Sequence, residues 1–130
     1  GLVPWSREAD VQILMNFLIK LILTALAVII SSYFLPGVSV ESFMIAILVA
    51  AVLALLNAIL KPVLIFLTIP LTILTLGLFL LVINAIIILL TDYLISGFEV
   101  EGFWWALLFS LILSLIVSVF EAFTGGFSEK

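Results

Sequence analysis

Long apolar runs, broken at a few points, dominate the chain. The first runs from Phe17 to Leu35 and is interrupted only by Lys20. The second runs from Phe43 to Leu60 and stops at Lys61-Pro62, and the last runs from Phe103 to Phe120 and stops at Glu121. A helix needs about 20 mostly apolar residues to cross bilayer hydrocarbon, so each run has the length of one span. Between the second and last runs lies an uncharged stretch, Pro62 to Thr91. As one helix of about 30 residues it would reach about 45 Å, beyond the roughly 30 Å hydrocarbon core, yet it is too short for two spans and a turn. Pro70 resolves the conflict, because proline removes an amide donor and breaks or kinks a helix. The spacing predicts a short helix over Pro62 to Ile69, interfacial or re-entrant, and a third span over Leu71 to Thr91. Thr68, Thr72 and Thr75 flank this break, where hydroxyls can satisfy freed carbonyls. The expected fold is an all-α membrane protein with four transmembrane helices.

One loop is written twice. YFLPGVSVESF at 33–43 returns as YLISGFEVEGF at 93–103. With an ungapped shift of sixty positions, Tyr33, Gly37, Val40, Glu41, Phe43, Ala46 and Leu48 fall on Tyr93, Gly97, Val100, Glu101, Phe103, Ala106 and Leu108. Internal repeats in membrane proteins mark duplicated structural units. The shift contains two crossings, so both copies point the same way. The expectation is two tandem parallel-repeat helical hairpins, repeat 1 over about 17–60 and repeat 2 over about 77–120. A pseudo-twofold axis along the membrane normal would relate them. Small residues recur every fourth position on the second span (Ala46, Ala50, Ala54, Ala58) and on the fourth (Ala106, Ser110, Ser114, Ser118). Such stripes let helix backbones approach closely. They read either as packing of the second span on the fourth or as an oligomer interface.

Composition agrees with a lipid solvent. The chain is 67% hydrophobic and 9% charged over 130 residues, against about 25% charged in a soluble domain. A soluble fold this small could not bury so much apolar surface. Residues 1–14 are mixed in character and precede Met15, which looks like a natural start. They read as an appended leader or a flexible N-terminus, and 121–130 as a cytoplasmic tail. Arg7, Lys20, Lys61 and Lys130 fall on one side of the four-span layout, and Glu41, Glu99 and Glu101 on the other. By the positive-inside rule both termini face the cytoplasm. With four basic residues in all, nucleic acid is not an expected partner. The expected partners are membrane lipids and either a second copy of the chain or another membrane protein.

Candidate chemistry is sparse. There is no histidine or cysteine, which removes thiol nucleophiles and the usual zinc ligands. No charged residue lies at an expected bilayer midplane, where pumps and coupled exchangers usually need one. No catalytic, cofactor-binding or metal-ligating residue is therefore expected. Asn57 and Asn84 are the strongest intramembrane polar groups, serving either as interhelical glue or as pore or ligand contacts. Glu41 and Glu101 precede helices, where a carboxylate can accept free amides; an outward acidic pair for a cation or partner is the alternative. Asp92 ends the third span, where the helix dipole disfavours it, and is a functional flag. Tyr33, Tyr93, Phe43, Phe103, Trp104 and Trp105 read as an interfacial aromatic belt.

The segment NAILKPVLIFLTIPLTILTLGLFLLVINAIIILL, followed by GFEVEGFWWALLFSLILSLI, resembles the four-transmembrane phage-holin-like superfamily IV, the YvlD-like membrane proteins. The resemblance rests on Asn57, Ala58, Lys61, Pro62, Leu67, Thr68, Pro70, Leu74 to Phe79, Asn84, Ala85 and Gly97 to Trp104. It covers Met15 to about Phe120. It implies a small protein of a prokaryotic cytoplasmic (inner) membrane, with some relatives near envelope-stress genes and no catalytic residues to carry over. The expected function is that of a non-enzymatic membrane protein, oligomeric or partner-binding, with a structural or envelope-stress role. The alternatives are a holin-type pore that permeabilises the membrane and, more weakly, a passive channel or lipid site at the Pro70 break.

Overall fold

The computed structural model describes residues 7–123. Residues 1–6 of the leader and 124–130 of the tail, Lys130 included, lie outside the described residues. Seven elements follow in order: α1 (Arg7–Phe34), β1 (Val38–Val40), α2 (Phe43–Leu67), α3 (Ile69–Leu74), α4 (Phe79–Leu94), β2 (Phe98–Val100) and α5 (Phe103–Phe123). Residues 7–14, read from sequence as part of a separate leader, are helical and continuous with α1.

The helix breaks fall elsewhere than the prolines suggested. Pro62 lies inside α2, which runs on to Leu67. Its missing amide orphans a single carbonyl, that of Ala58, and its ring is exposed, so the helix continues. α2 ends at Thr68, whose amide and hydroxyl both bond the Leu64 carbonyl, at 3.1 and 2.7 Å. The short helix is therefore Ile69–Leu74 rather than Pro62 to Ile69, with Pro70 in its first turn, where a missing amide costs nothing. The third long helix starts at Phe79 rather than Leu71. Leu76 and Gly77 take positive φ, 58° and 88°, and Gly77 N–H donates to the Thr72 carbonyl at 2.8 Å, closing α3 with a left-handed cap. The Thr75 hydroxyl donates to the Leu71 carbonyl at 3.0 Å and accepts the Phe79 amide at 3.1 Å. It joins the two helices across the break. Thr72 stands 3.5 Å from Thr68, hydroxyl to hydroxyl.

The loops 35–42 and 95–102 are not plain connections. Each holds a short strand, and the two strands pair antiparallel with Val38 opposite Val100, Ser39 opposite Glu99 and Val40 opposite Phe98. The ladder is extended at both ends by Glu41 N–H to Gly97 O (2.9 Å) and Glu101 N–H to Gly37 O (2.8 Å). This ribbon ties hairpin α1–α2 to hairpin α4–α5. Its glycines are needed for space. A β-carbon on Gly37 would stand 2.3 Å from the Trp105 ring, and one on Gly97 would stand 3.1 Å from Ile45 Cγ1. Each glycine thus receives the side chain three positions into the other hairpin's returning helix. Gly97 also has φ of 99°, which disfavours any β-carbon.

α1 packs against α2 and α5, and α4 packs against the same two, so α2 and α5 stand on a diagonal. Buried positions recur sixty apart: Val28 and Ile88, Ser31 and Thr91, Ala46 and Ala106, Val49 and Phe109. The core sits under the ribbon, where Phe98 meets Phe109 with ring centroids 5.6 Å apart. Outward side chains such as Leu55, Ile59 and Leu115 are well exposed, which water would penalise and lipid does not. α1, α2 and α5 are long and apolar enough to cross a membrane. The apolar α4 has 16 residues, or about 24 Å.

Candidate functional site: a polar cleft at the open end of the bundle

The small-residue stripes do two different things along their length. Under the ribbon Ala46, Ala50, Ala106 and Ser110 are buried, with relative exposures of 0%, 1%, 0% and 6%. One to two turns further on, Ala54, Ala58, Ser114 and Ser118 are exposed and line a cavity of about 620 Å³ together with Phe17, Leu21, Thr24 and Val117. The bundle is closed at the ribbon and splayed at the opposite end. The stripes do not zip α2 onto α5 along their whole length, because α1 and α4 stand between them as the main neighbours.

Asn57 lines this cavity and also a smaller one beside it, of about 80 Å³, with Lys61, Asn84, Ser110 and Ser114. Asn57 and Lys61 are four apart on α2 and therefore share a face. Asn84 arrives from the facing side of α4 and Ser114 from α5. The apolar part of the wall is Leu53, Ile87, Ile88 and Leu113. The side chains of Asn57, Asn84 and Lys61 make no hydrogen bond or ion pair with any described residue. Asn57 and Asn84 thus line one recess, with no hydrogen bond between them. Ser110 is committed elsewhere, donating to the Leu107 carbonyl at 2.8 Å. Lys20, on the larger cavity, is paired with Glu121 of α5. The cleft ends where Val49 and Phe109, both fully buried, fill the bundle above Leu53 and Leu113.

The ribbon end assigns its polar groups to structure. Glu41 and Glu101 are not the helix caps. Ser42 caps α2, its hydroxyl accepting the Ile45 amide at 3.2 Å, and the Ala106 amide at the start of α5 donates to the Gly102 carbonyl. The two glutamates lie one residue too early, and their amides serve the ribbon, while their carboxylates are exposed. Asp92 Oδ2 accepts the Val100 amide at 3.0 Å. In an antiparallel ladder this amide points away from the partner strand, and Asp92 satisfies it. The sequence held no signal for that bond beyond an acid near a strand-forming Val. Trp105 is wedged against Gly37, whereas Trp104 is exposed and stacks edge-on with Phe103 at 5.2 Å. The Ser31 hydroxyl is fully buried without a partner, while Thr91, sixty positions on, donates to the Ile87 carbonyl at 2.8 Å.

Among the described residues no three acidic side chains converge as a metal site would require. What the smaller recess offers chemically is one cation, two carboxamides and the Ser114 hydroxyl on an apolar wall.

Residues 15–119 match the family model described as mycobacterial 4 TMS phage holin, superfamily IV. An uncharacterized protein of Streptomyces coelicolor is 42% identical over 118 residues, covering 83% of this chain and 94% of that protein. The uncharacterized membrane protein YvlD of Bacillus subtilis is 35% identical over 103 residues, covering 78% of this chain and 87% of its own. No solved structure matches the chain.

Proposed function

The chain belongs to the four-segment phage holin superfamily IV, and we propose that it is a non-enzymatic, multi-pass protein of a prokaryotic cytoplasmic membrane that acts by association. It assembles with itself or with another membrane protein, in a structural or envelope-stress role. The observation that carries this reading is the blind cleft. Val49 and Phe109 close the bundle beneath the ribbon, so one copy offers a lined recess and no path across the membrane. In this reading α1, α2 and α5 cross the bilayer, and α3 with α4 makes the fourth crossing. The exchanged ribbon bonds and the buried positions sixty apart support two hairpins repeated in parallel. Lys20 and Lys61 lie at the splayed end and Glu41, Glu99 and Glu101 at the ribbon, which supports a cytoplasmic placement of both termini. Cross-linking in native membranes tests the proposal: dimers or a defined partner are expected, and a chain recovered only as an isolated monomer overturns it.

The second reading is a holin-type pore. It is favoured by the exposed lower stripe, Ala54, Ala58, Ser114 and Ser118, which would line a lumen if several copies opened toward one another. Induced expression followed with a potential-sensitive dye separates the two. Collapse of membrane potential and loss of viability support the pore, and unaltered potential removes it.

A further inference from the structure

Lys61 is half-buried in the cleft wall, four residues from Asn57 on the same face of α2 and beside Asn84 of α4. None of the three side chains is bonded to a described residue. Polar groups on an apolar, lipid-bathed wall carry a desolvation cost unless something pairs them. Lys20, which also lines the cleft, is already answered by Glu121; no acid among the described residues lines the recess around Lys61. The recess is rich in donors, with an ammonium, two carboxamide NH₂ groups and the Ser114 hydroxyl, and among the described residues that line it the one full charge is positive. That set recognises an oxyanion.

We propose that the recess formed by Asn57, Lys61 and Asn84 binds a phosphate group, and that the phosphate belongs to the headgroup of an anionic phospholipid. The adjoining 620 Å³ cavity argues for the lipid. It shares Asn57 with the recess and continues past Ala54, Ala58 and Ser118; its wall is mostly apolar, Phe17, Leu21 and Val117 among it, with Thr24 and the Glu121-paired Lys20 as further polar residues. Small side chains there leave a channel for an acyl chain, next to the polar recess that holds the head. Lys61 stands 18 residues beyond the start of α2 at Phe43, or about 27 Å from the ribbon along the helix. That depth places it near the opposite headgroup layer of a bilayer about 30 Å thick. Basic pockets between membrane helices are suited to anionic headgroups. The proposal requires neither a particular orientation nor an oligomeric state.

The test reconstitutes the full chain in bilayers of phosphatidylcholine containing a minority of phosphatidylglycerol with the same acyl chains. The lipid retained through mild detergent extraction is then measured by native mass spectrometry. Phosphatidylglycerol is expected to be enriched on the wild-type chain. Lys61→Gln should lower that enrichment about tenfold, as loss of a charged hydrogen bond does, and Lys61→Arg should restore most of it. Arg7→Gln, a basic residue outside both cavities, should leave it nearly intact. Ser118→Leu, which fills the channel, should weaken lipid retention. A second arm titrates inorganic phosphate onto the chain in pure phosphatidylcholine, followed by phosphorus NMR. Binding of phosphate that depends on Lys61, without phosphatidylglycerol enrichment, upholds the phosphate site and assigns its ligand to the free ion. Three results overturn the proposal: neither ligand bound by the wild-type chain, enrichment unchanged in Lys61→Gln, or equal losses in Arg7→Gln and Lys61→Gln, which would signify charge attraction without a site. The wild-type arms decide the matter even if a variant fails to insert.

Discussion

Replacing Gly37 by alanine puts the joint between the two hairpins under direct strain. The added β-carbon would lie 2.3–2.4 Å from three ring atoms of Trp105, far inside the 3.5–4.0 Å at which carbon atoms attract. The obstacle is the body of an indole, not the tip of a flexible chain, so the whole ring must move away from the ribbon. Overpacking of this kind costs about 1–3 kcal/mol. The residue matching Trp105 in the first hairpin is Ile45, which leaves 3.1 Å at Gly97. Trp105→Ile should therefore relieve Gly37→Ala. Unfolding by graded denaturing detergent, read by circular dichroism across the four members of a double-mutant cycle, measures the coupling. A favourable coupling of at least about 0.5 kcal/mol is expected, within the range for residues in contact. Gly77→Ala is the contrast. Its β-carbon meets no atom within 4 Å, but its φ is 88°, so its cost is the left-handed backbone alone, about 1–2 kcal/mol, with no relief from Trp105→Ile. The reasoning is refuted if Gly37→Ala is as stable as the wild type, or if Trp105→Ile rescues both glycines equally.

Three further outcomes follow from the same geometry. Cysteines at Ser39 and Glu99, in a chain that has none of its own, should form a disulfide under mild oxidation, because directly opposed antiparallel residues have Cα atoms about 4.5–5.5 Å apart; a monomer without faster gel migration would contradict the ribbon. Phe109→Ala, which empties a fully buried site against Phe98, should cost about 3–5 kcal/mol in the same detergent titration, and a loss below about 1 kcal/mol would mean the core is not where it is described. Ser42→Ala should cost about 1 kcal/mol as a lost helix cap, while Glu41→Gln should change stability little; the reverse order would return the cap to the glutamate.

The helix breaks show how far local chemistry reaches. Pro70 marked a real interruption because a proline in a first turn suits its missing amide. Pro62 misled, because one orphaned carbonyl beside a cleft does not end a helix whose remaining bonds are intact. Gly77 was the overlooked signal. It sits in an unbroken apolar run, and only its positive φ, shared with Leu76, reveals that the chain turns there. Asp92 shows the same limit: its partner, the Val100 amide, is eight residues away and is left over only once β2 pairs with β1.

Bilayer thickness acts on run length, so the apolar runs alone set the helical class, the approximate places of the long helices and the membrane as solvent. The written-twice loop, with its glycines and alternating valines, likewise announced two similar turns. Tertiary structure alone decided that these turns pair as a ribbon, because pairing joins backbones sixty residues apart. It also decided what the small-residue stripes do. The same four-residue spacing closes the bundle at Ala46 and Ala106 and opens it at Ala58 and Ser118, since the outcome depends on how far the helices splay. Lys61 and Asn57 were legible as neighbours on one helix face. That Asn84 meets them, with no acid among the described residues of the recess, is a property of helices brought together and is written in no single segment.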